Sequence, residues 1–149
     1  MSEHDFLKHL RKDHDKQKKL GEQLVDASQP EERKRLRQQF YESLYPHMIG
    51  EEDSIFQLLT GADDEDAKQD GLEGLQEHHI GKIVLRELME LDLQSNVFRA
   101  KAKILDELNR HHIEEEEEAV FGHLKKLCSD QELDRLFNQY EQSEEGAKS

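Results

Sequence analysis

The chain contains 149 residues, with 21 Lys or Arg against 35 Asp or Glu, a formal net charge of −14 and 34% apolar residues. This length suits one compact domain, and the negative charge argues against binding nucleic acid or an anionic membrane, since both require basic residues. Apolar runs of about three residues are far short of the ~20 that span a bilayer, and no signal peptide is evident. Together with the single cysteine, Cys128, these features predict a soluble cytoplasmic protein without an internal disulfide.

Helical spacing of apolar residues is nearly continuous from the N terminus, whereas strand patterns are almost absent. The segment Ser2–Asp5 resembles a capping box, and we expect it to open a first helix that ends near Ala27. Pro30 opens a second helix that ends at Gly61. Pro46 lies inside this second helix and lacks the N–H of a regular turn, so a kink is predicted there.

Three further helices are predicted in the second half of the chain. Residues 61–71 form an acidic linker or helix start, after which the apolar stripe of a third helix extends from 72 to 91. A fourth helix spans 98–127. Ser129 and Glu132 resemble a capping box that opens a short fifth helix.

Amphipathic helices joined by short connections bury their apolar stripes by packing as antiparallel neighbours. We therefore predict an all-α fold, an up-down-up-down four-helix bundle followed by a short C-terminal helix. The expected boundaries are a single domain over 1–149, with the bundle at about 3–127, the C-terminal helix at about 130–142 and a flexible polar tail at about 143–149.

The second half of the chain repeats the first with an offset of about 64 residues. His47–Phe56 and His112–Phe121 both read H-x-x-x-E-E-[DE]-[SA]-[IV]-F. An upstream acidic residue, histidine and lysine repeat as well, as Asp13, His14 and Lys18 and as Glu77, His78 and Lys82. The chain thus reads as two copies of a helix pair, each carrying a lone histidine and a His-x-x-x-Glu.

Residues four apart share one face of a helix, so each His-x-x-x-Glu presents an imidazole and a carboxylate to the bundle interior. Four imidazoles and two carboxylates around one pocket suit iron, zinc or manganese. The predicted metal ligands are His14, His47, Glu51, His78, His112 and Glu116.

Each half of this pattern has an alternative interpretation. Glu116 belongs to the acidic run 114–118, which on its own is typical of a solvated face. In the third helix, His79 shares a row with charged residues, whereas His78 shares an apolar row and is selected by the repeat. The other histidines, His4, His9, His111 and His123, are expected to be structural or at the surface.

The ordered motif resembles the hemerythrin-like family, whose HHE cation-binding domain carries H…HxxxE…H…HxxxE on a four-helix bundle. The resemblance covers about residues 4–127. It implies an oxo- or hydroxo-bridged non-haem di-iron centre, with Glu51 and Glu116 as bridging carboxylates and the four histidines as terminal ligands. Zinc or manganese are alternative metals.

One position departs from the oxygen carriers of this family: Lys82 stands where they have a fifth histidine. With four histidines, about one coordination position stays open on each iron, which makes reversible carriage less favoured. The expected function is to bind, sense or react with O2, peroxide or nitric oxide, with catalase-like activity as the enzymatic option and no catalytic residue assigned. Lys18, Lys82, Tyr41 and Tyr45 are candidate outer-shell groups, and the alternative for both lysines is an exposed counter-charge.

Two rival functions remain at this stage. One is an iron or gas sensor or store without turnover, and the other is a zinc-filled or metal-free interaction module. Neither a phosphate-binding loop nor a thiol active site is indicated. The predicted partner is a small oxidant, with no nucleic acid or membrane, and the protein partner and oligomeric state are not specified.

Overall fold

The computed structural model describes residues 2–148, in which all regular secondary structure is helical. The helices are α1 (Asp5–Asp26), α2 (Pro30–Asp53), α3 (Ile55–Thr60), α4 (Glu65–Glu90), α5 (Phe98–Glu115), α6 (Phe121–Leu127) and α7 (Asp130–Ala147), and a π-helical turn, Glu116–Val120, joins α5 to α6. No helix within the described residues is long and apolar enough to cross a membrane.

The helices pack as the predicted bundle. α1 packs against α2 and α5, α4 packs against α2, α3 and α5, and α7 lies across α2 and the start of α1. The predicted all-α fold with an additional C-terminal helix is therefore confirmed.

Two apolar clusters fill the interior, and the predicted ligands lie between them. The first cluster contains Phe6, Leu7, Leu10, Ile55, Phe56, Leu59, Ala67, Val120, Phe121, Leu124, Leu133 and Tyr140, and the second contains Leu20, Leu24, Ala27, Leu36, Phe40, Leu44, Met48, Leu85, Leu88, Phe98, Ala102 and Leu105. On α1, His14 lies between Leu10 of the first cluster and Leu20 of the second. On the other helices of the bundle, the predicted ligands also lie between residues of the first cluster and residues of the second. A polar layer therefore separates the two apolar clusters.

Several helix ends differ from the sequence predictions. α1 is capped by His4, whose Nδ1 accepts from the Phe6 backbone N–H at 3.0 Å, and not by a Ser2–Asp5 capping box. α4 begins at Glu65, within the stretch interpreted as a linker or helix start, because Asp64 caps it by accepting from the Ala67 N–H.

The second predicted helix is divided into α2 and α3. The helix continues through Pro46 to Asp53, and the interruption falls at Ser54, whose φ and ψ are −123° and −88°. The Ser54 hydroxyl donates to the Gly50 carbonyl at 2.7 Å, which satisfies one of the carbonyls near this helix end.

α7 begins at the predicted Ser129–Glu132 capping box, which is confirmed. The predicted end near 142 is wrong, because the helix continues to Ala147 and includes most of the segment assigned to the polar tail. Glu144 explains this continuation, since its carboxylate accepts from Tyr140 one turn earlier at 2.9 Å. Residue 149 lies outside the described residues.

Candidate metal centre

All six predicted ligands meet in the polar layer, and we refer to them as the six inner residues. Their exposed fractions are 0% for His14, 3% for His47, 0% for Glu51, 1% for His78, 7% for His112 and 1% for Glu116. In the choice between neighbours, the structure places His78 in the centre and leaves His79 exposed on the bundle surface.

Glu51 lies between two pairs of histidines. Its Oε2 is 3.2 Å from His47 Nε2 and 3.8 Å from His14 Nε2. Its Oε1 is 3.2 Å from His78 Nε2 and 3.9 Å from His112 Nε2. One carboxylate oxygen is therefore directed toward each pair.

Glu116 contacts one histidine of each pair. Its Oε1 is 3.3 Å from His14 Nε2, and its Oε2 is 3.0 Å from His112 Nε2. The ligand atoms form two compact groups, His14, His47, Glu51 and Glu116 in one and Glu51, His78 and His112 in the other. The two groups of potential metal ligands lie next to each other, and Glu51 belongs to both.

The donor atoms at the middle of the centre lack ordinary partners. Both oxygens of Glu51, both oxygens of Glu116 and Nε2 of His14 are buried without a hydrogen bond to any described residue. The imidazoles approach these carboxylates, but not with hydrogen-bond geometry. Because buried carboxylates without partners are strongly unfavourable, this donor set fits metal ions that supply the missing contacts.

Each histidine has an acidic partner on its outer nitrogen. The four pairs are His14 Nδ1 with Glu117 at 2.7 Å, His47 Nδ1 with Asp13 at 3.1 Å, His78 Nδ1 with Glu52 at 2.9 Å and His112 Nδ1 with Glu77 at 2.9 Å. A carboxylate at Nδ1 holds the proton there and leaves Nε2 free to bind a metal. We refer to Asp13, Glu52, Glu77 and Glu117 as the outer carboxylates.

The sequence contained a signal for the outer carboxylates that was not used to predict them. Each is adjacent in the chain to one of the six inner residues, and each has a counterpart in the other half of the repeat. Asp13 and Glu77 precede a ligand histidine, and Glu52 and Glu117 follow a ligand glutamate. The repeat thus contains both the predicted ligands and the carboxylates that contact the ligand histidines from outside.

Both copies of the repeat leave regular α-helical geometry at matching positions. The interruption at Ser54 follows Glu51 and Glu52, and the π-helical turn begins at Glu116 and includes Glu117. Single π-helical turns inside helices occur frequently at functional sites. In each copy the two adjacent glutamates contact one histidine from opposite sides, Glu51 and Glu52 at His78 and Glu116 and Glu117 at His14.

Without a metal, the surrounding carboxylates raise the pKa of His14, His47 and His112 and so favour their charged forms. Burial lowers the pKa of His47, but the charge of Glu51 and the hydrogen bond to Asp13 outweigh it and raise the pKa to about 9. For Glu51, burial raises the carboxyl pKa, but the surrounding imidazoles, with His47 foremost, hold it well below its usual value. Protons therefore balance the buried negative charge when no cation is present, and metal binding releases them.

Three side chains support the outer carboxylates from further out. Lys82 Nζ is 2.7 Å from Glu52, and Arg11 is 3.3 Å from Glu117. The Tyr140 hydroxyl lies 2.8 Å from Asp13 Oδ2. Each of these groups fixes a carboxylate that in turn fixes a histidine.

The predicted outer-shell groups are therefore only partly correct. Lys82 contacts an outer carboxylate, whereas the Lys18 side chain makes no ion pair or hydrogen bond with the described residues of the centre, and Arg11 pairs with Glu117 instead. Tyr41 and Tyr45 stack on each other, with ring centroids 5.3 Å apart, and pack against the second apolar cluster. The tyrosine that reaches the centre is Tyr140, which the sequence did not indicate because it lies outside the repeat.

The remaining histidines have other roles. His4 caps α1, His9 packs against the Phe137 and Tyr140 rings, and His123 pairs with Asp70 at 2.8 Å. His111 is exposed and pairs with Glu115 at 3.0 Å. None of these four belongs to the six inner residues.

Comparison with known proteins adds the family. The profile of the hemerythrin HHE cation-binding domain matches residues 5–124, a segment that contains all six inner residues and ends before α7. No curated protein and no solved structure matches the chain significantly. The ligand motif, the bundle and the profile match agree, and the chain belongs to the hemerythrin HHE cation-binding domain family.

Proposed function

We propose that this chain is a non-haem di-iron protein that binds, senses or reacts with dioxygen, peroxide or nitric oxide. The observation that carries the proposal is the placement of Glu51 and Glu116, each with one oxygen toward each pair of histidines. His14 and His47 would hold one iron and His78 and His112 the other, with both carboxylates shared. Two irons in nitrogen and oxygen coordination supply redox changes to a small oxidant.

Aromatic rings and apolar side chains cover much of this centre. The Phe56 ring meets the His78 ring edge-on at 5.1 Å, and the Phe121 ring stacks near His14 at 6.2 Å. The two apolar clusters close the layer above and below. Excluding water strengthens the charge interactions in the site and protects a reactive centre from side reactions.

The chain also positions a protonated hydroxyl beside the centre. Burial, followed by the charges of Asp13 and Glu144, raises the pKa of Tyr140 well above its usual value, so the phenol keeps its proton. Its hydroxyl lies 2.9 Å from His47 Nδ1. Tyr140 is therefore available as a hydrogen-bond donor to Asp13 at neutral and moderately alkaline pH.

A sensing role without multiple turnover is the second candidate. The contact between Tyr140 and His47 supports it, because it connects the centre to α7, which lies beyond the matched family segment. A structural module without metal is disfavoured by the partnerless carboxylates of Glu51 and Glu116. If zinc or manganese were bound in place of iron, the binding site would be the same. The proposed reaction with an oxidant would then be lost or changed.

The test is metal content per chain, measured by mass spectrometry on untagged protein from iron-replete cells. We expect about two irons in the wild type, loss of iron in His47→Ala, and retention in His79→Ala, which removes an exposed histidine of the neighbouring α4. Zinc, or no metal in any of the three proteins, would contradict the proposal.

The loaded protein then separates enzyme from sensor. Release of O2 from peroxide over many turnovers, above the rate of an equal amount of free iron, would indicate catalase-like activity. A single spectral change with peroxide, dioxygen or nitric oxide and no turnover would indicate sensing. Absence of any response to all three would contradict both.

A further inference from the structure

We propose that an acidic cavity between α4 and the end of α5 is the route by which divalent metal ions reach the centre, with Glu77, His111 and Glu115 forming a loading site at its mouth. The proposal rests on the metal centre proposed above. It does not depend on which reaction that centre performs.

The cavity has a volume of about 160 Å³ and connects exposed residues with two of the inner residues, His112 and Glu116. Five further acidic residues line it: Asp70, Glu73, Glu77, Glu115 and Glu118. No Lys or Arg is among the residues that line it. A cleft with walls of one charge concentrates ions of the opposite charge and speeds their association.

The inner wall of the cavity carries an acceptor for a cation. Glu116 is 1% exposed, lines the cavity, and has no hydrogen-bond partner for either carboxylate oxygen among the described residues. His112, beside it, is the most exposed of the six inner residues at 7%. The centre is therefore closest to solvent on this side.

Two of the other three outer carboxylates are paired with basic groups that would hinder a cation. Glu52 is paired with Lys82 and Glu117 with Arg11, and both basic groups repel an approaching divalent ion. Asp13 Oδ2 is 2.8 Å from the hydroxyl of the buried Tyr140, and His9 and Glu144 lie beside it, but none of these residues is among those that line the cavity. Glu77 lines the cavity, and its partners are the histidines His111 and His112.

At the mouth of the cavity, the lining residues Glu77 and Glu115 form a set of metal-ligating atoms with His111, which lies next to the lining. His111 Nε2 lies 3.0 Å from Glu115 Oε1 and 3.8 Å from Glu77 Oε2, and the three ligand atoms fall within 4.8 Å of one another. The His111 side chain is 64% exposed, so an ion can bind there directly from solvent. The other oxygen of Glu77 accepts from His112 Nδ1, so Glu77 links the mouth to the centre.

These contacts place a series of ligands along the path of a cation from the mouth of the cavity to the centre. An ion held by His111 and Glu115 is next to Glu77, and beyond Glu77 lie the partnerless oxygens of Glu116. Exchange from the exposed site to the buried one is favoured because burial of the carboxylates leaves them without competing contacts. A neutral oxidant would gain nothing from this charge pattern, which therefore points to the metal ion as the species transported.

The test is the rate at which metal-free protein takes up Co²⁺, followed by stopped-flow absorbance of the bound ion. The test protein is a double variant that carries both His111→Ala and Glu115→Gln. Glu77 stays in place in this variant and continues to hold His112. The matched control is the pair His79→Ala and Glu114→Gln, which removes the same kinds of group from exposed positions on α4 and α5 that do not line the cavity.

We expect the uptake rate constant of the variant to fall about tenfold, within the range by which charged clefts accelerate association, and that of the control to stay within about twofold of the wild type. The final cobalt content per chain should be equal in all three. Added salt should slow uptake more in the wild type than in the variant, because screening removes the steering that the variant already lacks.

Equal rates in the variant and the control would overturn the access route while leaving the metal centre intact. A variant that loads at the normal rate to a lower final content would also overturn it, since His111 and Glu115 would then belong to the centre. A wild-type protein that takes up no cobalt would overturn the centre itself, and the route with it.

Discussion

The hydroxyl of Tyr140 lies 2.9 Å from Nδ1 of His47 and so connects the C-terminal helix to the metal centre. The same hydroxyl is within hydrogen-bond distance of Asp13 and of Glu144, and the Tyr140 ring is fully buried against Phe6, with centroids 5.5 Å apart. A phenol has one proton to donate, so Asp13 and Glu144 compete for it while its oxygen accepts from His47. Because one side chain serves both the packing of α7 and the orientation of a ligand, we expect metal binding and the docking of α7 to be coupled.

Replacing Tyr140 with Phe tests this coupling. The ring keeps its packing, but Asp13 and His47 lose a buried hydrogen-bonding group, so the free energy of unfolding should fall by about 1–2 kcal/mol. Metal affinity should fall about tenfold, as it does when other groups that orient a ligand without contacting the metal are removed. Urea unfolding of the metal-free protein and chelator competition on the loaded protein measure the two effects.

The matched control for this change is Tyr41→Phe, because Tyr41 stacks on Tyr45 near the second apolar cluster and does not contact the centre. We expect little change in metal affinity. Equal affinity in the two variants would show that the Tyr140 hydroxyl does not act on His47.

Lys82 and Lys18 occupy equivalent positions of the repeat but are expected to behave differently. Lys82 Nζ is 2.7 Å from Glu52, which accepts from His78, whereas the Lys18 side chain forms no ion pair with a carboxylate among the described residues. Replacing Lys82 with Met should therefore weaken metal binding about threefold or more, and Lys18→Met should leave it nearly unchanged. Chelator competition at two salt concentrations measures this, and the Lys82 effect should shrink at high salt because the pair is partly exposed. Equal affinities in the two variants would contradict the assignment.

The sequence predicted the six inner residues because their spacing within each helix follows directly from helical periodicity. His47 and Glu51 share a face by their separation alone, and the repeat then specifies His112 and Glu116 in the same way. The four-helix arrangement followed from the same periodicity with short connections. These features depend on local geometry, which a single sequence expresses well.

Contacts between helices were harder to predict. Asp13 bonds His47 and not its own neighbour His14, and this pairing depends on how α1 and α2 are rotated against each other. Tyr140 has no counterpart in the repeat, so nothing in the sequence distinguished it from Tyr41 and Tyr45. The early start of α4 and the late end of α7 depend on the cap at Asp64 and on the contact between Tyr140 and Glu144, both weak signals in sequence.

Removing the metal should lower stability by a measurable amount. An ion that binds only the folded chain at a hundred times its dissociation constant contributes about 2.7 kcal/mol, and for a domain of this size each kcal/mol changes Tm by roughly 2–4 °C. We therefore expect a chelator to lower Tm by at least about 5 °C. Differential scanning calorimetry of loaded and stripped protein measures the change.

Glu51 is the residue on which this stabilisation should depend most. Glu51→Gln removes a carboxylate directed toward both metal positions, so its Tm should no longer respond to the chelator. Asp53→Asn is the control, because Asp53 is exposed two residues further along α2. A chelator response in Glu51→Gln as large as in the control would show that metal is held elsewhere.

Two glycines should respond in opposite directions to replacement by alanine. A Cβ on Gly50 would lie 2.7 Å from two ring carbons of Tyr140 and 3.1 Å from its carbonyl oxygen, whereas a Cβ on Gly122 would meet no described atom within 4 Å outside its own helix turn. Gly50→Ala should therefore destabilise the protein by about 1–3 kcal/mol through overpacking, and Gly122→Ala should stabilise it by about 0.5–1 kcal/mol through helix propensity. Because Gly50 adjoins Glu51 and contacts Tyr140, its replacement should also weaken cobalt binding, and the Gly122 variant should bind cobalt as the wild type does. Urea unfolding and cobalt titration of both variants measure these effects, and a stabilising Gly50→Ala would mean that α7 does not pack against α2 in solution as it does in this structure.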